Sequence, residues 1–420
     1  MKNIQLLRFI GLVVLTTLVT PAFCQDEKSI PLPQLIKSKR KPVDTLVIVD
    51  SSRVAQADLP DVFRKLFKIK STPRIDSVTG KPQFSIVPAI GYTLVSGLAA
   101  VLSGNIAYRN GPQSRISTFV ISASYTQKKQ FIIPLHTFIW THDNEYFFVG
   151  DYRFYKYPQS TYGLGSNSNI KTEDPMDFSF GRFYQTAYKH LQGNWYGGIG
   201  YNFDTYWGIS HQGPLNKTPS DYEQYGTSGR SLSSGFTINA LNDSRDNSIN
   251  PSKGWYLEAI YRNNLRGLGS TVNWQSLILD VRKFITFPAR SNNILAFWSY
   301  NWLVLNGKPP YLNLPSNSWD TNSATGRGYI QGRFRGAQLL YLDSEYRFNI
   351  TRNGLLGGVM FVNAQSVSAQ PGTRLQSIQP AFGPGLRVKL NKVSRTNISI
   401  DYGFGRQGSR GLFIDVGEVF

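Results

Sequence analysis

"AQLLYLDSEYRFNI", residues 337 to 350, puts Leu340, Leu342, Tyr346 and Phe348 on one side of an extended chain and Asp343, Glu345 and Arg347 on the other. Successive side chains of a strand point to opposite faces, so one apolar and one charged row at a period of two mark a β-strand. The rhythm recurs through residues 83–420. Trp195, Ile199, Tyr201 and Phe203 alternate with Tyr196, Asn202 and Asp204, and Leu277, Leu279 and Val281 with Ser276, Asp280 and Arg282. Phe382, Leu386, Val388 and Leu390 oppose Gly383, Gly385, Arg387 and Lys389. Ile398, Ile400, Tyr402 and Phe404 oppose Asn397, Ser399, Asp401 and Gly403.

Alternation by itself also fits a soluble sandwich. Two features decide against that. Several alternating segments run about 10 residues or more, against ~5–6 in soluble strands. The connections also alternate in length. Strand starts near residues 84, 97, 114, 130, 145, 176, 194, 229, 254, 271, 292, 337, 353, 377, 395 and 411 give about sixteen strands. Connections after even-numbered strands are mostly short ("RNGPQ", "HDN", "QG", "ITRN"), whereas the long ones, near 156–175, 208–228 and 306–336, follow odd-numbered strands. Outer-membrane barrels have that asymmetry. In lipid the sheet must close, because an open edge leaves backbone groups unpaired. The expected fold is all-β, a transmembrane antiparallel β-barrel of about 16 strands over 83–420, with its charged row facing the lumen.

Residues 1–24 read as a signal peptide: Lys2, the apolar run "FIGLVVLTTLVT", then Ala22 ahead of Cys24. The run is shorter than the ~20 residues that span a bilayer. Lipid attachment at Cys24 is the alternative. Taking Lys2 and Arg8 away from the 45 basic residues leaves 43 against 26 acidic ones. A basic exported chain suits phospholipid and lipopolysaccharide headgroups and excludes nucleic acid as partner. Residues 25–82 read as a periplasmic tether. Within it "PLPQLIKSKRKP" is a linker, "TLVIV" (45–49) one strand signal, and "LPDVFRKLFKIK" (59–70) an amphipathic helix grouping Val62, Phe63, Leu66, Phe67 and Ile69.

Catalytic chemistry is not expected. His136, His142, His190 and His211 have no metal-ligand spacing, and there is no Gly-x-Ser-x-Gly elbow, phosphate loop or cysteine nucleophile. No metal and no cofactor is expected. Asp243 and Asp246, ahead of Pro251 and Gly254, read as a turn in which Asp caps, Pro restricts and Gly takes a positive φ.

"TGRGYIQGRFRG" (325–336) carries Arg327, Arg333 and Arg335 without an acid and falls in the sixth loop of the long side. Arginine presents a planar fork of donors that a carboxylate accepts bidentately. With "NDSRDNSINPSKGWYLEA" (242–259), "FGPGLRVKL" (382–390) and the final "DVGEVF", this stretch resembles the BamA/TamA superfamily of outer-membrane assembly barrels (the bacterial surface antigen family). The resemblance implies a sixth loop folded back into the lumen, with Arg327, Gly328 and Tyr329 as its Arg-Gly-aromatic motif and Glu345 as the carboxylate it meets. Asn363 stands where the family has a second lumenal Asp, able to hydrogen-bond Arg327 without neutralising it. The implied activity is insertion or translocation of proteins, or lipids, at the outer membrane. A weak seam between first and last strands would serve it, and Pro88 and Gly91 would weaken pairing there. The branch would be a short one lacking POTRA domains, so client capture would fall to periplasmic or barrel partner proteins.

Against a lumenal loop stands an external one touching lipopolysaccharide through Arg333 and Arg335. Against assembly stand an anion-favouring pore lined by Arg282, Arg347, Arg387 and Lys389, and a structural subunit of an envelope complex. In "GLFIDVGEVF" Leu412, Ile414, Val416 and Phe420 are expected on one row that Glu418 shares near its end, with Phe420 as the C-terminal aromatic signal for barrel assembly.

Overall fold

Sixteen strands pair in sequence order into one antiparallel sheet. They are β1 (Gln83–Thr93), β2 (Gly97–Arg109), β3 (Ile116–Thr126), β4 (Phe131–Trp140), β5 (Tyr146–Lys156), β6 (Met176–Gln192), β7 (Trp195–His211) and β8 (Gly229–Asp243). There follow β9 (Gly254–Asn264), β10 (Trp274–Thr286), β11 (Ile294–Gly307), β12 (Gln338–Asn349), β13 (Leu356–Ser368), β14 (Gln379–Asn391), β15 (Thr396–Phe404) and β16 (Arg410–Val416). Every start lies within three residues of the position read from the sequence. This computed structural model describes residues 55–66, 68, 82–111, 114–216, 219–226, 229–289, 291–369, 374–392 and 394–420. The expected signal peptide 1–24 with Cys24, the strand signal "TLVIV" and most of the expected 25–82 tether lie outside the described residues, as do Phe67 and Ile69 of the expected helix.

The sheet curls into a nearly closed barrel whose polarity is the reverse of a soluble core. Its outer rows expose Ile90 (77%), Ile199 (72%), Phe382 (60%), Leu342 (57%) and Met360 (53%). Its inner rows bury Asp204, Glu345 and Asp401 almost completely. The first and last strands lie side by side, and Leu94 in the first turn sits where a Cβ on Gly411 would collide with it. Among the described residues no hydrogen-bonded register joins β16 to β1, whereas every other neighbouring pair is laddered.

A barrel this wide leaves an aqueous interior unless something fills it. The loop 308–337 does so. Its Trp319 and Phe334 share one buried cluster with Phe180, Tyr206, Trp298 and Tyr341 of the wall. Trp319 meets Phe180 edge-on at 5.5 Å, an arrangement aromatic pairs favour.

Ahead of the barrel, helix α1 (Leu59–Leu66) lies within the stretch expected to be helical. It meets the turn after β14 through Lys392, whose Nζ is 2.8 Å from Asp61 Oδ2 and whose backbone N–H donates to Asp58 Oδ2. Ala57 N–H donates to Asn353 O in the turn after β12.

Candidate functional site

Three devices set the path of the plug loop. Asp320 folds it back, accepting from Ala324 N, Thr325 N and Thr325 Oγ1. Gly326 and Gly328 follow at φ +82° and +100°, where a side chain is strained. Gly328 also lies against the wall, so a Cβ there would stand 2.8 Å from Ala381 Cβ. Tyr329 then docks on the wall, its hydroxyl donating to Pro380 O at 2.7 Å and accepting from Arg406 N at 3.0 Å.

This path aims Arg327 at the β12–β15 wall. Its Nη2 stands 2.6 Å from Glu345 Oε1 and 2.8 Å from Asp343 Oδ2, and its Nη1 stands 2.7 Å from Asp401 Oδ2. The guanidinium lies over the Phe361 ring at 3.9 Å, and the residue is 2% exposed. Tyr341 donates its hydroxyl to Asp343. Arg347 and Arg387 flank the carboxylates: Arg347 Nε is 2.6 Å from Glu345 Oε2, and Arg387 pairs with Asp401 and, at 2.8 Å, with Glu418. Buried carboxylates persist only when paired and hydrogen-bonded, and here one loop arginine serves three of them.

Asn363 does not bond the guanidinium. Its Nδ2 donates to the Arg327 main-chain carbonyl at 3.0 Å, fixing the backbone rather than the charge. Asp343 and Asp401 act as the further acids, and the sequence reading missed both as partners. Both stood in the charged rows already identified, Asp343 two residues from Glu345 on one face of β12. Arg333 and Arg335, assigned to an external surface by the alternative, are each 2% exposed. Arg333 reaches Ser168 and Gln407, and Arg335 the carbonyls of Tyr311 and Leu312, so neither is presented to lipopolysaccharide.

On the opposite wall a second network joins β5, β6, β7 and β9. Arg153 pairs with Asp151, Arg182 with Asp151 and Asp204, and Arg262 with Asp204, whose other oxygen neighbour is Tyr184. Arg153 Nη2 also donates to Thr321 O of the plug loop at 2.7 Å. The loop is thus held from both sides of the lumen.

In the turn 244–253, Asp246 accepts from Ser252 N and Oγ at 2.7 Å, from Lys253 N, and from Arg395 Nη1 at 2.9 Å. Burial raises its carboxyl, but those donors outweigh burial and hold it at about 2. Asp243 instead pairs with Arg245 at the end of β8, and Gly254 takes φ +108° as β9 begins; Pro251 lies between them. The four histidines lie apart from one another: His142 meets Asp143, His190 the Gly193 carbonyl and His211 Asp174, while His136 stands 3.7 Å from Asp151 without a hydrogen bond at Nδ1.

The last row departs from expectation. Leu412, Ile414 and Val416 lie on β16, but the strand stops at Val416, and Gly417 at φ +127° turns the chain inward. Phe420 is buried at 4% exposure against Trp298 and Phe284 instead of continuing the outward row, and Glu418, expected on that row, turns in to pair with Arg387. Arg282, Arg347 and Arg387, expected to favour anions in a pore, each pair with a carboxylate.

A sixteen-stranded barrel with an unladdered seam and a loop pinned inside by arginine defines the structural class. No family model and no curated protein matches the sequence. Similar solved structures include BamA from Haemophilus ducreyi lacking POTRA domains 1–3, with TM-score 0.50, 13% identity and coverage of 80% of this chain and 69% of that one. CdiB from Acinetobacter baumannii matches at TM-score 0.52 and 11% identity over 80% of this chain and 60% of its own. CdiB from Escherichia coli matches at 0.50 and 9% over 83% and 63%. This chain spans about two thirds of those structures or less, and the likeness is one of fold.

Proposed function

We propose that this protein is an integral outer-membrane barrel that assists insertion or translocation of proteins, or lipids, at that membrane. Arg327 carries the reading: a loop arginine inside the lumen, held by carboxylates of β12 and β15. A plugged interior suits polypeptide handling at the wall better than free diffusion through the centre. The unladdered β1–β16 seam is where an incoming strand can pair with exposed backbone. Pro88, which has no N–H, sits in β1 within that seam. The outward apolar rows support residence in lipid, and the similar barrels from outer membranes support that location. Lipid and lipopolysaccharide are the surrounding partners on this reading, with capture of clients by separate proteins. The pairing of Arg282, Arg347 and Arg387 with carboxylates leaves little cationic surplus for an anion pore.

Depletion of the protein followed by outer-membrane proteomics tests this. General loss of barrel proteins is expected. Unchanged barrel levels after complete depletion would sink the proposal, as would large stable anion-selective conductance of the purified protein in planar bilayers.

A further inference from the structure

We propose that the inner end of the lumen is a peptide-binding pocket for an extended segment carrying an acidic residue two positions before an aromatic one, and that Gly417–Phe420 occupies it in cis. The chain enters the pocket at Gly417, whose N–H donates to Asn397 O at 2.8 Å. Its φ of +127° lies outside the reach of ordinary L residues. Glu418 is then received by three donors. Arg387 Nε gives to Oε2 at 2.8 Å, while Asn250 Nδ2, at 3.3 Å, and Asn397 Nδ2 give to Oε1. Two residues on, the Phe420 ring lies against Trp298 at 5.2 Å between centroids and Phe284 at 6.2 Å, with the Arg347 guanidinium over it at 5.2 Å. Arg347 Nη2 also donates to the Phe420 main-chain oxygen at 2.7 Å.

The wall has the character of a receptor, not of a surface completed by chance. Arg347, Arg387 and Lys389 gather around Glu418 there, with Arg387 Nε at 2.8 Å from Glu418 Oε2 and Arg347 Nε at 3.9 Å. A cavity of about 60 Å³ remains beside Glu418, lined by Arg347, Arg387, Lys389, Asn250 and Asn397. Arg347, although buried, has an Nη1 with no hydrogen-bond acceptor. With the tail withdrawn, the pocket offers a cationic end and an aromatic slot set two residues apart. An arginine fork selects a carboxylate at the first position, and offset ring packing selects an aromatic at the second.

The inference goes beyond the proposed function and does not require it: peptide binding in micelles and loss of barrel proteins in cells can fail independently. The probe is a labelled peptide of sequence IDVGEVF (residues 414–420), compared with IDVGQVA, followed by fluorescence anisotropy on the detergent-purified chain. An occupied pocket lowers apparent affinity by the fraction of time it is open. The double variant Glu418→Gln, Phe420→Ala should therefore bind IDVGEVF at least about tenfold tighter than the unaltered chain, and IDVGQVA no better than it. Equal binding by both proteins, no binding by either, or no discrimination between the peptides would overturn the proposal. Should the double variant not fold, a nitroxide at Val419→Cys, with Cys24→Ser, reads the same question in the otherwise unaltered chain. Excess IDVGEVF should convert an immobilised spectrum to a mobile one. A spectrum that stays immobile at saturating peptide would also overturn it.

Discussion

The two charged networks inside the barrel are built from the same residue types and differ in what they need from the plug loop. On the β5–β9 wall Arg153, Arg182 and Arg262 face Asp151 and Asp204, so strands supply both signs and the loop contributes only the Thr321 carbonyl. On the β12–β15 wall Asp343, Glu345 and Asp401 outnumber Arg347 and Arg387 until Arg327 arrives from the loop. One wall is complete without its guest and the other is not. Attachment of the loop is therefore specified electrostatically at one side and merely braced at the other.

The sharpest way to break this contrast is Arg327→Met, which leaves three buried carboxylates sharing two arginines. Removing one partner of a buried ion pair costs about 3–5 kcal/mol, expected as a lowered urea midpoint in micelles and as new protease sensitivity within 308–337. Arg262→Met on the other wall removes one of three cations, and Asp204 keeps Arg182 and Tyr184. The expected loss is about 1.5–3 kcal/mol, with the loop still protected; a loss equal to that of Arg327→Met would erase the distinction. Gly328→Ala forces a side chain into φ +100° and toward Ala381, a strain of about 1–3 kcal/mol, and should expose the loop while leaving strand content unchanged by circular dichroism. Tyr329→Phe deletes a hydroxyl that both donates and accepts, for about 1 kcal/mol in the same unfolding experiment.

The smallest effect lies outside the lumen. Asp246 has a folded value of about 2, below its ordinary 3.8. Its contribution is whole above about 4 and is lost as pH falls through about 2. Asp246→Asn should flatten the acid limb of stability over that window, by a small loss of stability at neutral pH and none below about pH 2.

Much of this was legible locally. Strand positions and the inward charged rows follow from alternation and loop length, because a strand's two faces are set by its own residues; the meeting of Arg327 with Glu345 was implied by the resemblance to the BamA/TamA superfamily. Asn363 shows where legibility ends: its row was readable, yet its choice of the Arg327 carbonyl over the guanidinium depends on where Gly328 lets the loop approach. Phe420 shows the same limit. Continued alternation put it outward, but Gly417 and the Trp298–Arg347 slot, contributed by strands distant in sequence, turn it inward.

The residue pattern alone set a sixteen-strand, inside-out sheet, since period and turn chemistry act over a few neighbouring residues; that a loop would fill it came from the family resemblance. Only the tertiary structure decided which carboxylates gather around Arg327, that Arg333 and Arg335 are buried, and that the last four residues lie within. Closing the barrel brings residues as far apart as Arg327 and Asp401 into hydrogen-bond range, and burial then makes every unpaired charge costly enough to dictate its partner.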